Sequence, residues 1–187
     1  MELQTALQQL EELQQKLFAF RTASSALYLD GVTVAPRDTS EGRGVALGIL
    51  AGEEHKLFSA PEVGELLTFL EGKKDQLTAE QARQVQLLRR GYDQLSRIPA
   101  NEYMEYAQLT NQASDVWHRA KESSDFELFR PVLEKLVAFQ KKFAGYYDST
   151  KAPYDALLNE YERGMTMEKL DLFFGTLRKK LVPVIRE

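Results

Sequence analysis

The 187-residue chain contains no cysteine and only two histidines, His55 and His118. Without cysteine there is no disulfide framework and no thiolate metal site. No His-Glu-x-x-His pair and no glycine-rich phosphate loop occur, so neither the usual zinc-hydrolase motif nor a nucleotide motif is present. No stretch approaches the ~18 uninterrupted apolar residues of a membrane span. The start, Met1-Glu2-Leu3-Gln4, lacks a basic region and apolar run, so no signal peptide is expected. These absences lead to the expectation of a cytoplasmic protein. The net charge is -4 with both signs mixed along the chain, and nothing resembles the basic stripe that phosphate backbones require. Neither nucleic acid nor a membrane is expected as a partner. No segment alternates as a sheet strand would, no repeat of fixed period occurs, and there is no low-complexity tract.

What is present is an ordinary globular composition. Hydrophobic residues make up 43% and charged residues 28%, which excludes disorder for most of the chain. A chain of this size buries roughly 70% of its unfolded surface. We expect a single helical domain over 1–187, one of ordinary size or built as two small lobes.

The periodicity predicts about seven or eight helices and an all-α fold. Leu3, Leu7, Leu10, Leu13 or Leu17, and Phe20 recur at steps of three and four, giving a helix from Glu2 to about Tyr28. Leu29 to Pro36 breaks that pattern with Gly31, Pro36 and a β-favouring Val-Thr-Val run, and reads as an ordered loop. A second helix is expected from Ser40 to about Phe58. Its Gly44, Gly48 and Gly52 share one face, where a neighbouring helix can approach closely. A short helix follows from Pro61 to about Leu70, with proline tolerated in the first turn. After a polar turn, Thr78-Ala79-Glu80-Gln81 forms a capping box opening a helix to about Ser96. Beyond Ile98-Pro99 another helix starts within Ala100 to Tyr103 and carries Tyr103, Tyr106, Leu109, Ala113, Trp117 and Ala120 on one side. Ser124 to Glu127 reads as a second capping box, before a helix to about Tyr147 with Pro131 in its first turn. Tyr154 to Arg163 is a short helix with Gly164 as its C-terminal cap. Thr166 caps the last helix, whose apolar side is Leu170, Phe173, Phe174, Leu177, Leu181 and Ile185. That stripe runs almost to Glu187 without a cap or polar tail, a pattern expected of a chain that continues. Pro183 can kink that helix without ending it.

Candidate chemistry is sparse. Catalytic zinc needs about three protein ligands. Glu53-Glu54-His55 fan out around a helix, whereas His118 and Glu122 stand at i and i+4 and can share a metal. For both histidines a solvated or singly hydrogen-bonded side chain is the stronger expectation. Asp155, Asn159 and Glu162 share a face of one short helix that also carries Glu160. They form either a polar site beside a cleft or, as favoured here, a set of caps that pins the helix. Arg37, Arg43 or Arg119 can orient a carboxylate, but each reads first as a surface charge or ion pair. Trp117 with Tyr103 and Tyr106 reads as core. The Leu-rich first helix suits a partner helix or packing within the domain, although heptads fade after it.

Three stretches, taken together, resemble the carboxypeptidase Taq family of metallocarboxypeptidases. Leu29-Asp30-Gly31-Val32-Thr33-Val34-Ala35-Pro36, with Glu41 and Arg43, is similar to the family's Trp-Asp-Gln-Glu-Thr-x-Met-Pro segment. The second stretch is Trp117-His118-Arg119-Ala120 with Ser124-Asp125-Phe126, Phe129, Pro131 and Leu133. The third, Tyr154-Asp155-Ala156-Leu157-Leu158-Asn159-Glu160-Tyr161-Glu162-Arg163-Gly164-Met165-Thr166, is similar to Tyr-Asp-Ala-Leu-Leu-Asp-x-Tyr-Glu-Pro-Gly and is the most specific. The resemblance marks Asp30, Pro36, Trp117, Arg119, Asp125, Phe126, Tyr154, Asp155, Leu158, Tyr161, Glu162 and Gly164 as signature positions with structural roles. Leu29, Gly31, Val32, Asn159 and Arg163 depart from the pattern.

The resemblance covers only the N-terminal part of the family's pattern. It implies helical, usually dimeric enzymes that remove C-terminal residues from peptides, using a divalent metal such as zinc. The His-Glu-x-x-His helix and later glutamate that hold this metal lie beyond the matched region. No catalytic or metal residue is therefore carried over, and no cofactor is expected in this chain. The expected role is a wall or lid of the substrate cleft, inactive alone, with peptide substrate bound jointly with a catalytic half and a homodimer possible. The alternative is a stand-alone helical protein that binds peptides or other partners without catalysis.

Overall fold

The computed structural model describes residues 1–147 and 152–186. Among these there are eight α-helices and no strand: α1 (Leu3–Thr33), α2 (Ser40–Phe58), α3 (Pro61–Glu71), α4 (Ala79–Leu95), α5 (Ala100–Ser123), α6 (Phe126–Tyr147), α7 (Pro153–Tyr161) and α8 (Met167–Arg186). Short 3-10 turns occupy Arg37–Thr39 and Lys74–Gln76. The helices form two compact units, Met1–Leu136 and Val137–Glu187, with the boundary inside α6.

In the first unit the leucine spacing of α1 has the expected consequence. Ala6, Leu10, Leu13 and Leu17 are buried and meet Phe58, Val63, Leu66, Leu67, Leu70 and Val85 from α2, α3 and α4. Arg89 ties α4 to α3. Its Nη2 donates to the Gly64 carbonyl at 3.0 Å and to Thr68 Oγ1 at 2.7 Å, while Nε faces Glu71 Oε2 at 3.2 Å. The capping box at Thr78 is formed as expected: the Gln81 N–H donates to Thr78 Oγ1 and the Thr78 N–H to Gln81 Oε1.

The glycine face of α2 is buried, and α5 lies along it antiparallel. A Cβ on Gly44 would come 3.0 Å from Asn111 Nδ2, one on Gly48 2.5 Å from Gln108 Cγ, and one on Gly52 2.5 Å from Met104 Sδ. Polar and flexible side chains of α5 thus occupy the space that α2 leaves. Asn111 closes this contact by donating from Nδ2 to the Ser40 carbonyl at 3.1 Å.

Four local expectations are corrected. The segment from Leu29 to Thr33 is helical, not loop: α1 runs through Gly31 and ends where the N–H groups of Val34 and Ala35 both donate to the Asp30 carbonyl. Gly31 lies under the Arg43 side chain, which a Cβ there would strike. Ser124 does not open α6. It ends α5 in a left-handed conformation, φ 54°, with the Asp125 N–H bonded to the Ala120 carbonyl. Asp125 caps α6 instead, its Oδ1 accepting from the Glu127 N–H at 3.0 Å. Pro131 therefore falls inside α6, beyond its first turn. Trp117 is not core but exposed. The first residue of α2 faces Asn111, so Trp117, more than a turn further along α5, lies past the end of its partner helix.

In the second unit, the turn between α7 and α8 is held by side chains. Asp155 Oδ1 accepts from the Met167 N–H at 2.7 Å and Asn159 Oδ1 from the Gly164 N–H at 3.0 Å. Gly164 has φ +77°, which a side chain would strain. Thr166 Oγ1 accepts from the Lys169 N–H, and Lys169 Nζ donates to the Gly164 carbonyl at 2.6 Å.

Two stability effects follow. Gly48→Val should destabilise the chain by about 1–3 kcal/mol through overpacking against Gln108, and Gln108→Ala should recover part of that loss. Ser124→Gly should stabilise by about 0.5–1 kcal/mol, because glycine accepts φ 54° without strain. Urea unfolding of Gly48→Val, Gln108→Ala, their double variant and Ser124→Gly against wild type checks both.

Candidate functional site

The residues singled out for chemistry are distributed rather than convergent. His55 is the only buried polar or charged side chain among the described residues. Its Nε2 lies 3.2 Å from the Leu95 carbonyl and its Nδ1 3.3 Å from Ser59 Oγ. A carbonyl only accepts, so Nε2 carries the proton in that contact. Both ring nitrogens are thereby engaged: Nε2 joins the end of α2 to the end of α4, and Nδ1 meets Ser59 at the close of α2. The ring also rests against Tyr103, with centroids 5.1 Å apart. This is a buried, doubly bonded histidine. Sequence reasoning placed it among solvated or singly bonded ones, and the neighbouring Gly52 and Phe58 were the available signal for burial.

His118 is exposed on α5, its ring edge-on to Trp117 at 4.8 Å. Lys121 Nζ sits 4.9 Å from the Trp117 ring, and Arg119 pairs with Asp115 at 3.3 Å. Arg43 donates to Thr39 Oγ1 in the 3-10 turn just before its helix, and the side chain of Arg37 lies outside the described residues. Pro36 accepts the Thr39 N–H on its carbonyl. Phe126 is exposed beneath the Arg130 guanidinium. On α7, Tyr154 and Tyr161 are exposed, Leu158 is half-buried, and Asp155 is committed to the α8 backbone. The Glu162 N–H closes α7 on the Leu158 carbonyl. On the polar face of α7, Asp155 and Asn159 thus act as backbone caps.

The family's metal does not fit the donors in this chain. Both nitrogens of His55 are engaged, and no three His, Cys, Asp or Glu side chains converge among the described residues. What does converge is a polar patch at α1, α2 and α5. Arg21 Nε binds Glu54 Oε1 at 3.0 Å. Near them the Tyr103 phenol is held above the usual tyrosine range, first by burial, then by the Glu54 carboxylate, against the opposing pull of Arg21. A shallow cleft of about 410 Å³ lies between α3 and α4, lined by Leu70, Lys74, Leu77, Arg83, Gln86 and Arg89 among others. It holds no histidine, and Arg89 within it is already committed to α3. No helix among the described residues is long and apolar enough to cross a membrane.

The raised phenol has a consequence for stability. The folded state favours the protonated form, so this contribution is intact below the unfolded tyrosine pKa of about 10 and is lost as pH rises through the higher folded value. Relative to Tyr103→Phe, the wild type should lose stability as pH rises above about 10. Urea unfolding of both proteins at each pH checks this, and a constant difference would contradict it.

Comparison with known proteins is consistent with this architecture. The family model for the carboxypeptidase Taq (M32) metallopeptidases matches residues 9–187. Carboxypeptidase 1 of Bacillus subtilis (strain 168) is 32% identical over 187 residues, covering the whole of this chain and 37% of the Bacillus protein. Thermostable carboxypeptidase 1 of Pyrococcus furiosus is 31% identical over 170 residues, 91% of this chain and 34% of that one. The crystal structure of BsuCP matches with a TM-score of 0.94 at 32% identity, over 97% of this chain and 37% of that chain. The chain spans little more than a third of the length of the relatives it matches. With a family model covering nearly its full length and the same all-helical fold in a solved relative, the chain belongs to the carboxypeptidase Taq (M32) metallopeptidase family.

Proposed function

We propose that this chain forms the N-terminal helical wall, or lid, of a peptide cleft in a metal-dependent carboxypeptidase that releases C-terminal residues from peptides. The observation carrying this reading is the match itself: one fold shared over 97% of this chain, yet only 37% of the relative. In this reading the metal donors and the catalytic base come from polypeptide outside these residues. Two features support that division of labour. The sequence has no His-Glu-x-x-His, and the buried His55 is spent on the Leu95 carbonyl and Ser59. The chain's own contribution is then shape: within the first unit, a closely packed α2·α5 pair with α1 against α2.

The purified chain should release no C-terminal amino acid from peptides, with or without added zinc or cobalt. A chimera in which this chain replaces the aligned segment of the Bacillus carboxypeptidase should recover metal-dependent release within about tenfold of the parent, a barrier difference of about 1.4 kcal/mol. Metal-dependent release by the chain alone would overturn the proposed inactivity. A chimera that folds and binds metal but stays inactive would overturn the cleft role.

A further inference from the structure

The cleft between α3 and α4 lies wholly within the first unit and takes no part in the function proposed above. One wall is a single face of α4, where Ala82, Arg83, Gln86 and Arg89 recur at helical spacing. The other wall is the end of α3 and the turn that follows it, with Glu71 and Lys74. Its volume of about 410 Å³ falls within the ~300–1,000 Å³ range of small-molecule sites. Contacts outside the cleft's opening hold both walls in place. Arg89 bonds the Gly64 carbonyl and Thr68 on α3, and the capping box at Thr78 sets the start of α4.

The floor of this cleft is apolar and its rim is cationic. Leu70 and Val85 are 0% and 2% exposed, and Leu77 packs against the same core. On the rim, Arg89 is balanced by Glu71, whose Oε2 lies 3.2 Å from Nε. Lys74 and Arg83 are not balanced. Among the described residues neither has a carboxylate within ion-pair distance. Arg83 meets only the neutral Gln86 amide, its Nη1 donating to Oε1 at 2.6 Å. A chain of net charge -4 therefore presents two unmatched positive charges at one apolar cleft. We infer that this cleft binds a small carboxylate with an apolar tail. Lys74 and Arg83 take the carboxylate, and the tail lies over Leu70, Leu77 and Val85. The planar guanidinium of Arg83 matches the carboxylate fork. Glu71, on the same rim, repels a second negative charge, which favours a monoanion over a phosphate monoester. The tail is essential because exposed charges contribute little alone, whereas apolar area leaving water adds to them.

The test reads binding rather than activity, so its outcome is independent of the proposed peptidase role. Isothermal titration of the purified chain with octanoate should give one site with a Kd of about 1 mM or tighter. Acetate lacks the tail, and octylamine carries the opposite charge on the same tail. Each should bind at least ~tenfold more weakly than octanoate. Lys74→Glu and Arg83→Glu should each weaken octanoate at least ~tenfold, while Arg83→Lys, which keeps the charge, should stay within about threefold. Both side chains are exposed, so helicity by circular dichroism should be unchanged in all three variants. Absence of octanoate binding by the wild type at about 10 mM, or equally tight binding of octylamine, would overturn the inference. So would octanoate binding that either glutamate variant retains in full, which would place the ligand on other exposed apolar surface, such as that of α8.

Discussion

The first unit is organised by the close approach of α2 and α5. Three glycines four residues apart remove every side chain from one face of α2, and Asn111, Gln108 and Met104 fill the resulting groove. Glycine in a helix interior costs up to ~1 kcal/mol relative to alanine, so α2 is a poor helix by propensity alone. It persists because the lost Cβ atoms are replaced by contacts along most of its length. Once that pair is set, α1 crosses α2 with its leucines inward, and His55 sits where its ring bridges α2 to the end of α4. A histidine buried this way acts as a connector, and its two hydrogen bonds satisfy both ring nitrogens of a side chain shielded from solvent.

The most idiosyncratic stretch of sequence has a similarly physical explanation. Between Asp155 and Thr166, the Asp155 carboxylate, the Asn159 amide oxygen and the Thr166 hydroxyl accept backbone N–H groups at the turn between two helices. Each such group would otherwise be an unsatisfied donor at a helix end. Asn159 stands where the family pattern has Asp, and its amide oxygen makes the contact with Gly164, so this departure keeps the acceptor while removing a charge. The arrangement accounts for the polar residues of this stretch through the backbone groups they bond. It encodes a turn that only a few residue combinations can close.

Much of the fold was legible in the sequence because its signals are local. The capping box at Thr78 and the start of α2 at Ser40 are as the sequence predicts, and the C-terminal limits of α3 and α4 lie within a residue of expectation. The errors share one cause. Gly31 and the Val-Thr-Val run were weighed as local breakers, but α1 continues because the Arg43 side chain fits over the missing Cβ. Ser124 was weighed as a cap for the helix after it, but the Ala120 carbonyl needed a donor from Asp125, and that contact set the left-handed turn. Trp117 was weighed by residue type as core, but its partner helix ends before it.

By itself, the sequence determined the helical class, the start of most helices, the glycine face of α2 and the family to which these residues belong. All of these depend on spacing and on the chemistry of single residues, which the chain carries in linear order. Tertiary structure alone decided which side chains fill the glycine groove, that His55 is buried with both nitrogens engaged, that Trp117 is exposed, and that the stripe of α8 lies uncovered. Burial is a property of what lies opposite a residue. Periodicity gives the face, but only the meeting of helices distant in sequence determines whether that face finds a partner.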